Sequence, residues 1–379
     1  MRIGVNTFQL HQKITGAGRF SKNMLQELAR LDNDNEYVIF LRKDNAGYYS
    51  IKKENFTNVV VTQVSNRIKL KRIWSEHFLL PKLAREYNVD AFWSPSDIAP
   101  ARLSCISLVT IHDLKRFVMP KEFPFLERHY YQRFLKKTAN AANLIFTGSE
   151  SSGRDIMTYL GIPPDRIIVA YNGLDPIIYE EEGVPLDTLK RLHGIRGKYI
   201  LFVGQMIKNK NVPRMIRAFN RCKEAAEYEF VLLGQAGAGM HEIEQTIKRE
   251  SYNSNLRERI HHIKWAATEH LISLYKYASA LFYASLYEGF GFPLVEAMAL
   301  GVPIITSDCS SMPEVAGDAA LLVDPMDEEA MSEALSKIIT DEDLQKSLVS
   351  KGRERVKQFS WEKTAKKYLA VFDRLKQNS

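Results

Sequence analysis

Glu288 and Glu296 stand with seven residues between them in the string Ser285-Leu-Tyr-Glu288-Gly289-Phe290-Gly291-Phe292-Pro293-Leu-Val-Glu296-Ala-Met-Ala-Leu-Gly301. Carboxylates so spaced can meet one ligand from two sides, the first from a loop and the second from about one turn inside a helix. A helix is predicted because Pro293 suits a first turn and Gly301 suits an end. Glycines ahead of a helix start bring main-chain N–H groups and the positive end of the helix dipole to one place, which suits a phosphate or another anion. The apolar run Ala280 to Ala284 reads as a short buried strand before that loop. A lone Gly-x-Gly is weak evidence for a ligand, and Glu288 by itself reads as a solvated loop acid. The full string is more specific than its parts.

Other residues with chemical potential follow predicted strands. Lys208 and Lys210 lie in Gly204-Gln205-Met-Ile-Lys208-Asn-Lys210-Asn211. Cations at a strand's carboxyl end suit phosphate contact, although two lysines also serve solubility. His112 and Asp113 end the run Val109-Thr-Ile111, and taken alone they read as a satisfied capping pair. Thr15-Gly16-Ala-Gly18-Arg19-Phe20 follows the first strand. Its glycines admit close backbone approach to a ligand, or only a flexible turn. The spacing is not the dinucleotide Gly-x-Gly-x-x-Gly, which counts against a dehydrogenase.

These residues are positioned by two runs of alternating strands and helices. In the first half the predicted strands are Ile3–Asn6, Tyr37–Leu41, Val59–Val64, Ala91–Ser94, Ile106–Ile111, Leu144–Thr147 and Ile167–Ala170. In the second they are Tyr199–Val203, Glu229–Leu233, His262–Lys264, Leu281–Ala284, Ile304–Ser307 and Ala320–Val323. Helical patterns separate them, which argues for mostly parallel sheets covered on both faces. With 379 residues, about two to three domains are expected, and 45% hydrophobic with 26% charged residues indicates a globular chain. No apolar run approaches the roughly 20 residues of a membrane span. The start, Met1 to Asn6, is strand-like and has no signal-peptide h-region. Cys105, Cys222 and Cys309 have no metal spacing and read as reduced thiols of a cytosolic protein. The net charge of +7 permits nucleic acid, anionic lipid or a phosphorylated ligand. No nucleic-acid motif is present, so that partner class is set aside.

The glutamate-pair string resembles the signature of the retaining, nucleotide-sugar-dependent glycosyltransferases of the two-domain GT-B fold, the large family numbered four. The likeness extends over nearly the whole chain. The Gly16–Gly18 loop resembles the family's donor-side glycine loop. His112-Asp113-Leu114 through Glu127-Arg128-His129-Tyr130-Tyr131 resembles its histidine-containing loop. There the histidine contacts the transferred sugar near the reacting carbon, which makes His112 a candidate catalytic residue and leaves Asp113 to hold the loop or the imidazole tautomer. Lys210 matches the family lysine that follows a strand-end glycine by six residues. Gln205 departs from the usual arginine, so Lys208 or Arg19 is left to supply a second charge. Gly234 ends a strand and is expected to approach the ligand. Trp265 stands where the family binds the base and usually has glycine. Thr147-Gly-Ser149-Glu150-Ser-Ser152 and Gly173 match segments that build structure.

The resemblance implies an α/β protein of GT-B type, with two Rossmann-like α/β/α domains facing a deep cleft. The expected divisions are an acceptor-binding domain over 1–178, a linker over 179–197, a nucleotide-sugar-binding domain over 198–358 and a helix over 359–379 crossing back to the first domain. It implies a hexose moved, with retention, from a UDP- or GDP-linked donor to a saccharide or lipid-linked saccharide in cell-surface polysaccharide synthesis. Glu288, His112 and Lys210 are the catalytic candidates. Donor contacts are expected from Gly16, Gly18, Gln205, Lys210, Gly234, Trp265, Glu288, Gly289, Phe290, Gly291, Phe292 and Glu296. Within that set Lys210 takes the diphosphate, Glu288 the sugar hydroxyls and Glu296 the ribose. No Asp-x-Asp follows a predicted strand, so neither a metal nor a cofactor is expected. Alternative readings are a sugar-nucleotide epimerase on a similar pair of domains and a non-catalytic nucleotide-sugar-binding subunit. The basic, apolar-interleaved stretch Asn66-Arg-Ile-Lys-Leu-Lys-Arg72-Ile-Trp74 reads as a solvated helix face. Its minority reading is peripheral contact with an anionic membrane, at the inner face of the plasma membrane.

Overall fold

The computed structural model describes residues 1–10, 16–61, 74–252 and 254–377. Its apolar runs assemble into two all-parallel sheets. One compact unit comprises Met1–Gly173 with Ser360–Ser379, and the other comprises Leu174–Phe359. Both are parallel α/β sheets of Rossmann type, with helices in the crossovers.

The first unit holds β1 (Arg2–Asn6), β2 (Glu36–Arg42), β3 (Phe56–Val61), β4 (Ala91–Ser94), β5 (Ile106–Thr110), β6 (Leu144–Thr147) and β7 (Ile167–Val169). Their order is β3-β2-β1-β4-β5-β6-β7. The order reverses direction between β1 and β4, the place where parallel sheets open a crevice for ligands. The central strands are buried on both faces, which is why they read as continuous apolar runs. Edge strand β3 starts at Phe56, earlier than expected, because exposed Thr57 and Asn58 hide its first residues from an apolar pattern. Residues 62–64, expected to continue it, lie outside the described residues.

Arg42, fully buried, fixes the chain as it leaves β1. Its guanidinium donates to the carbonyls of Phe8 and of Leu10 (3.0 Å), and its Nε donates to Asp44 (2.8 Å). Helix Gly16–Leu31 follows. The last helix, Trp361–Gln377, belongs to this first unit. Tyr368 stacks on Phe146 with ring centroids 3.7 Å apart, and its hydroxyl lies 2.9 Å from Thr110 Oγ1. Ser360 caps the helix start by accepting from the Lys363 N–H. Gly173 is required there. A methyl group on it would lie 2.2 Å from the Trp361 nitrogen.

The second unit holds β8 (Lys198–Val203), β9 (Tyr228–Leu233), β10 (Ile260–Ile263), β11 (Ala280–Tyr283), β12 (Ile304–Ser307) and β13 (Leu321–Val323), in the order β10-β9-β8-β11-β12-β13. Its reversal falls between β8 and β11. Strand β10 starts two residues earlier than expected, in register with β9 from Ile260 opposite Phe230. Part of the stretch read as a linker is folded here: helix Leu186–His193 buries Leu189, and Ser273 Oγ donates to the Val184 carbonyl at 2.9 Å. All three cysteines are free. Among the described residues no helix is long and apolar enough to cross a membrane.

Candidate functional site

The residues singled out from sequence fall into two sets, one in each unit. In the second unit most of them follow the carboxyl ends of β8 and β11, while Gly234 follows β9 and Trp265 follows β10. Strand β8 runs into Gly204 and then into a short turn at Lys208–Lys210. Strand β11 ends at Tyr283 and runs into the loop that carries Glu288. Because β8 and β11 are hydrogen-bonded neighbours, their two loops leave the sheet side by side.

The loops are tied together by asparagines. Asn209 Nδ2 donates to the Tyr287 carbonyl at 3.0 Å, and the Leu286 N–H returns a bond to the Asn209 carbonyl at 2.8 Å. Asn211 sits in the left-handed region at φ +61°, and its amide donates to Ala284 and Pro325 carbonyls. A non-glycine residue held there by buried hydrogen bonds is typical of an over-determined functional loop. Ser310, at φ +56°, does the same on the other side. Its hydroxyl accepts from the Glu288 N–H and donates to the Glu288 carbonyl, both at 2.8 Å. Ser311 Oγ donates to the Glu288 and Phe290 carbonyls.

This framework brings Lys210 and Glu288 into contact. Lys210 Nζ donates to Glu288 Oε1 at 2.6 Å, with the side chains only 13% and 14% exposed. Tyr283 completes the cluster. Its hydroxyl lies 2.5 Å from Lys210 Nζ and 3.0 Å from Glu288 Oε1. Burial and then the neighbouring Glu288 charge push the Tyr283 phenol well above its ordinary range. Sequence reasoning did not single out Tyr283. The signal available was one hydroxyl at the end of the otherwise apolar strand Ala-Leu-Phe-Tyr.

Helix Phe292–Leu300 starts from the same loop, as Pro293 and Gly301 predict. Gly291 precedes it at φ +107°, and a methyl group there would lie 2.5 Å from Met312 Cε. The positive end of this helix dipole therefore opens onto the Glu288 loop. Glu296, on the second turn, is 3% exposed, and the Tyr275 hydroxyl donates to its Oε2 at 2.7 Å. Phe290 is buried edge-to-face against Phe292, and Gly289 lies half-buried between Glu288 and Phe290.

Gly234 ends β9 at φ +147°, and a methyl group there would lie 2.0 Å from the Gly204 carbonyl oxygen. The two glycines let the ends of β8 and β9 close on each other. Gln205 and Lys208 are exposed beside Lys210, and Trp265 projects after β10 at 72% exposure.

In the first unit Gly16 and Gly18 open the helix after β1, and His112 follows β5. Thr15, beside them, lies outside the described residues. His112 is half-buried, with its ring 5.0 Å edge-to-face from Phe20. Its Nε2 donates to the Pro95 carbonyl at 2.9 Å, since a carbonyl only accepts. Neutral His112 therefore presents Nδ1 as its acceptor. Asp97 accepts from the His112 N–H and from the Tyr131 hydroxyl, at 2.9 and 2.7 Å. The imidazole tautomer is thus set by Pro95. Asp113 holds the loop instead, accepting from the Lys115 N–H at 3.0 Å. Burial disfavours its charge, but Lys115 outweighs that and holds the Asp113 carboxyl below the usual range.

Two family models match the chain. The one described as "Glycosyl transferases group 1" matches residues 189–355, and the one described as "Glycosyltransferase Family 4" matches residues 14–177. The chain is 27% identical over 377 residues to O-antigen chain mannosyltransferase B of Escherichia coli, covering 96% of this chain and 97% of that one. It is 25% identical over 345 residues to O-antigen chain mannosyltransferase RfbU of Salmonella typhimurium, covering 88% and 90%. Among solved structures, sucrose-phosphate synthase of Thermosynechococcus elongatus aligns with TM-score 0.79 at 17% identity, covering 100% and 99%. WaaG, described as a glycosyltransferase involved in lipopolysaccharide biosynthesis, aligns with TM-score 0.73 at 16% identity, covering 98% and 99%. The fold shared with these structures is GT-B, two parallel-sheet Rossmann-like domains.

Proposed function

Because the chain belongs to the group 1 glycosyltransferases of family four, we propose that it moves a hexose from a nucleoside-diphosphate sugar to a saccharide or lipid-linked saccharide acceptor in cell-surface polysaccharide synthesis. The observation that carries this reading is the Lys210–Glu288 cluster at the β8/β11 crevice, beside the start of helix Phe292–Leu300. A cation and a helix N-terminus suit a leaving diphosphate. The carboxylate suits sugar hydroxyls and positive charge developing at the reacting carbon. Glu296 is assigned to the ribose, and Gly204, Gly234 and the 265–267 main chain to the nucleotide. His112 is assigned to the transferred sugar. Retention is proposed to run by front-face attack, with the leaving phosphate taking the acceptor proton. Charge neutralisation by Lys210 makes the reaction metal-independent in this reading.

The relatives' names make mannose the first sugar to test, from GDP-mannose, with UDP-glucose as the comparison. A thermal-shift screen of UDP- and GDP-sugars, followed by product analysis with saccharide acceptors, tests the proposal. Stabilisation by one donor series and a transferred sugar of unchanged anomeric configuration are expected. A free epimer as product, or nucleotide-sugar binding without turnover on any acceptor, would overturn it.

A peripheral contact with the inner face of the plasma membrane is also proposed. The basic stretch that suggested it lies, except for Trp74, outside the described residues. Support comes from its neighbours: Trp74 and Phe78 are exposed and stacked, 5.7 Å apart. His77 meets Phe134 on helix Phe125–Ala141, which also exposes Leu126, Tyr130, Arg133 and Lys137. Aromatic and basic side chains together suit an anionic interface. Sedimentation with anionic but not neutral liposomes is expected; equal behaviour with both removes the membrane contact.

A further inference from the structure

Lys210 is assigned to the donor diphosphate and Glu288 to the donor sugar, yet each is the other's partner, at 2.6 Å. With so little exposure the pair is not a loose surface contact, and separating it leaves two charges in need of new partners. The donor supplies one for Lys210. For Glu288 the remaining group is Tyr283. An ammonium only donates and a carboxylate only accepts, so the Tyr283 oxygen accepts from Lys210 and its proton goes to Glu288. Its ring is 1% exposed and stacked on Phe202 with centroids 5.7 Å apart, so the hydroxyl is held by the core rather than by its two charged partners.

We propose that Tyr283 is a positioning residue of the transfer reaction: as the donor enters, Lys210 exchanges Glu288 for the diphosphate, and the Tyr283 hydroxyl keeps Glu288 aimed at the sugar. This rests on the glycosyl-transfer reading above. It makes Glu288 a competitor of the diphosphate for Lys210. Glu288→Gln keeps the shape of the side chain and removes the charge, so Lys210 is released to a phosphate more readily. Assignment of Glu288 to the transferred hexose alone implies no such effect on a nucleoside diphosphate that carries no hexose.

Isothermal titration of the full chain with UDP and with GDP tests this, alongside donor kinetics, for the wild type, Glu288→Gln and Tyr283→Phe. Whichever nucleotide the wild type binds, Glu288→Gln is expected to bind it about fivefold or more tightly while transfer falls. Tyr283→Phe keeps the ring and its stack. It is expected to lower kcat about tenfold, the scale of one hydrogen bond to a charged group, with donor KM within about twofold. A general loss of structure would instead move the melting temperature and KM together. If the wild type binds a nucleotide and Glu288→Gln binds it no more tightly, or if Tyr283→Phe turns over at the wild-type rate, the exchange is refuted and the transfer reading stands. If the wild type binds neither nucleotide, the transfer reading fails and this proposal fails with it.

Discussion

Removing the Lys210 ammonium bears on both stability and turnover. At 2.6 Å from Glu288 Oε1, unit charges at an effective dielectric of 20 attract by about 6 kcal/mol. Desolvation of the two ions cancels much of that gross figure. Exposed pairs contribute at most about 1 kcal/mol, and breaking fully buried ones costs about 3–5 kcal/mol. The 13% and 14% exposure of this pair puts Lys210→Ala between those limits, at about 2 kcal/mol. For a unit of this size that lowers the melting temperature by about 4–8 °C. The catalytic loss is expected to be larger in consequence. A donor aimed at developing charge is worth a factor of about 100 in kcat, about 2.7 kcal/mol of transition-state stabilisation. Lys210→Met separates the two effects. It keeps the aliphatic stem, whose Cε packs over Gly204, and should lose turnover as severely as Lys210→Ala. The assay is initial-rate transfer from the donor found by thermal shift, at a temperature where the variants remain folded. Turnover of either variant within about threefold of wild type would refute the assignment of Lys210 to the leaving group.

Gly234→Ala should destabilise the second unit by at least about 3 kcal/mol, since the backbone is at positive φ and the methyl meets main chain that cannot rotate away; an unchanged urea midpoint would contradict this. Transfer activity should survive excess EDTA, and activity lost to EDTA and restored by magnesium would overturn the metal-independent reading. Burial opposes the charge of Asp32, but hydrogen bonds from Tyr37, Asn35 and the 34–35 main chain win and lower its pKa. Its contribution is therefore present above the unfolded-state value of about 3.9 and lost as pH falls through the lower folded value. Asp32→Asn should melt earlier than wild type at pH 7, with the gap closing in acid; a gap independent of pH would show that the carboxylate charge is not what stabilises.

The alternation of apolar runs with helical patterns determines two parallel α/β units, because buried parallel strands need no polar face and each crossover needs a helix. The glycines and proline around Glu288 likewise determine a strand, loop and helix, since Gly291 and Gly301 adopt positive φ and Pro293 fits a first turn. The edge strands were less legible. In β3 and β10 polar residues interrupt the pattern, and only pairing with β2 and β9 defines where they begin. Tertiary structure alone decided which side chains meet. Strand order places β8 beside β11, so Lys210, 78 positions from Glu288, donates to its Oε1. It also placed the Tyr283 hydroxyl against both, and it gave the His112 tautomer to the Pro95 carbonyl rather than to the adjacent Asp113. Spacing along a chain specifies local geometry. Partnership between loops depends on sheet order, which no local pattern encodes.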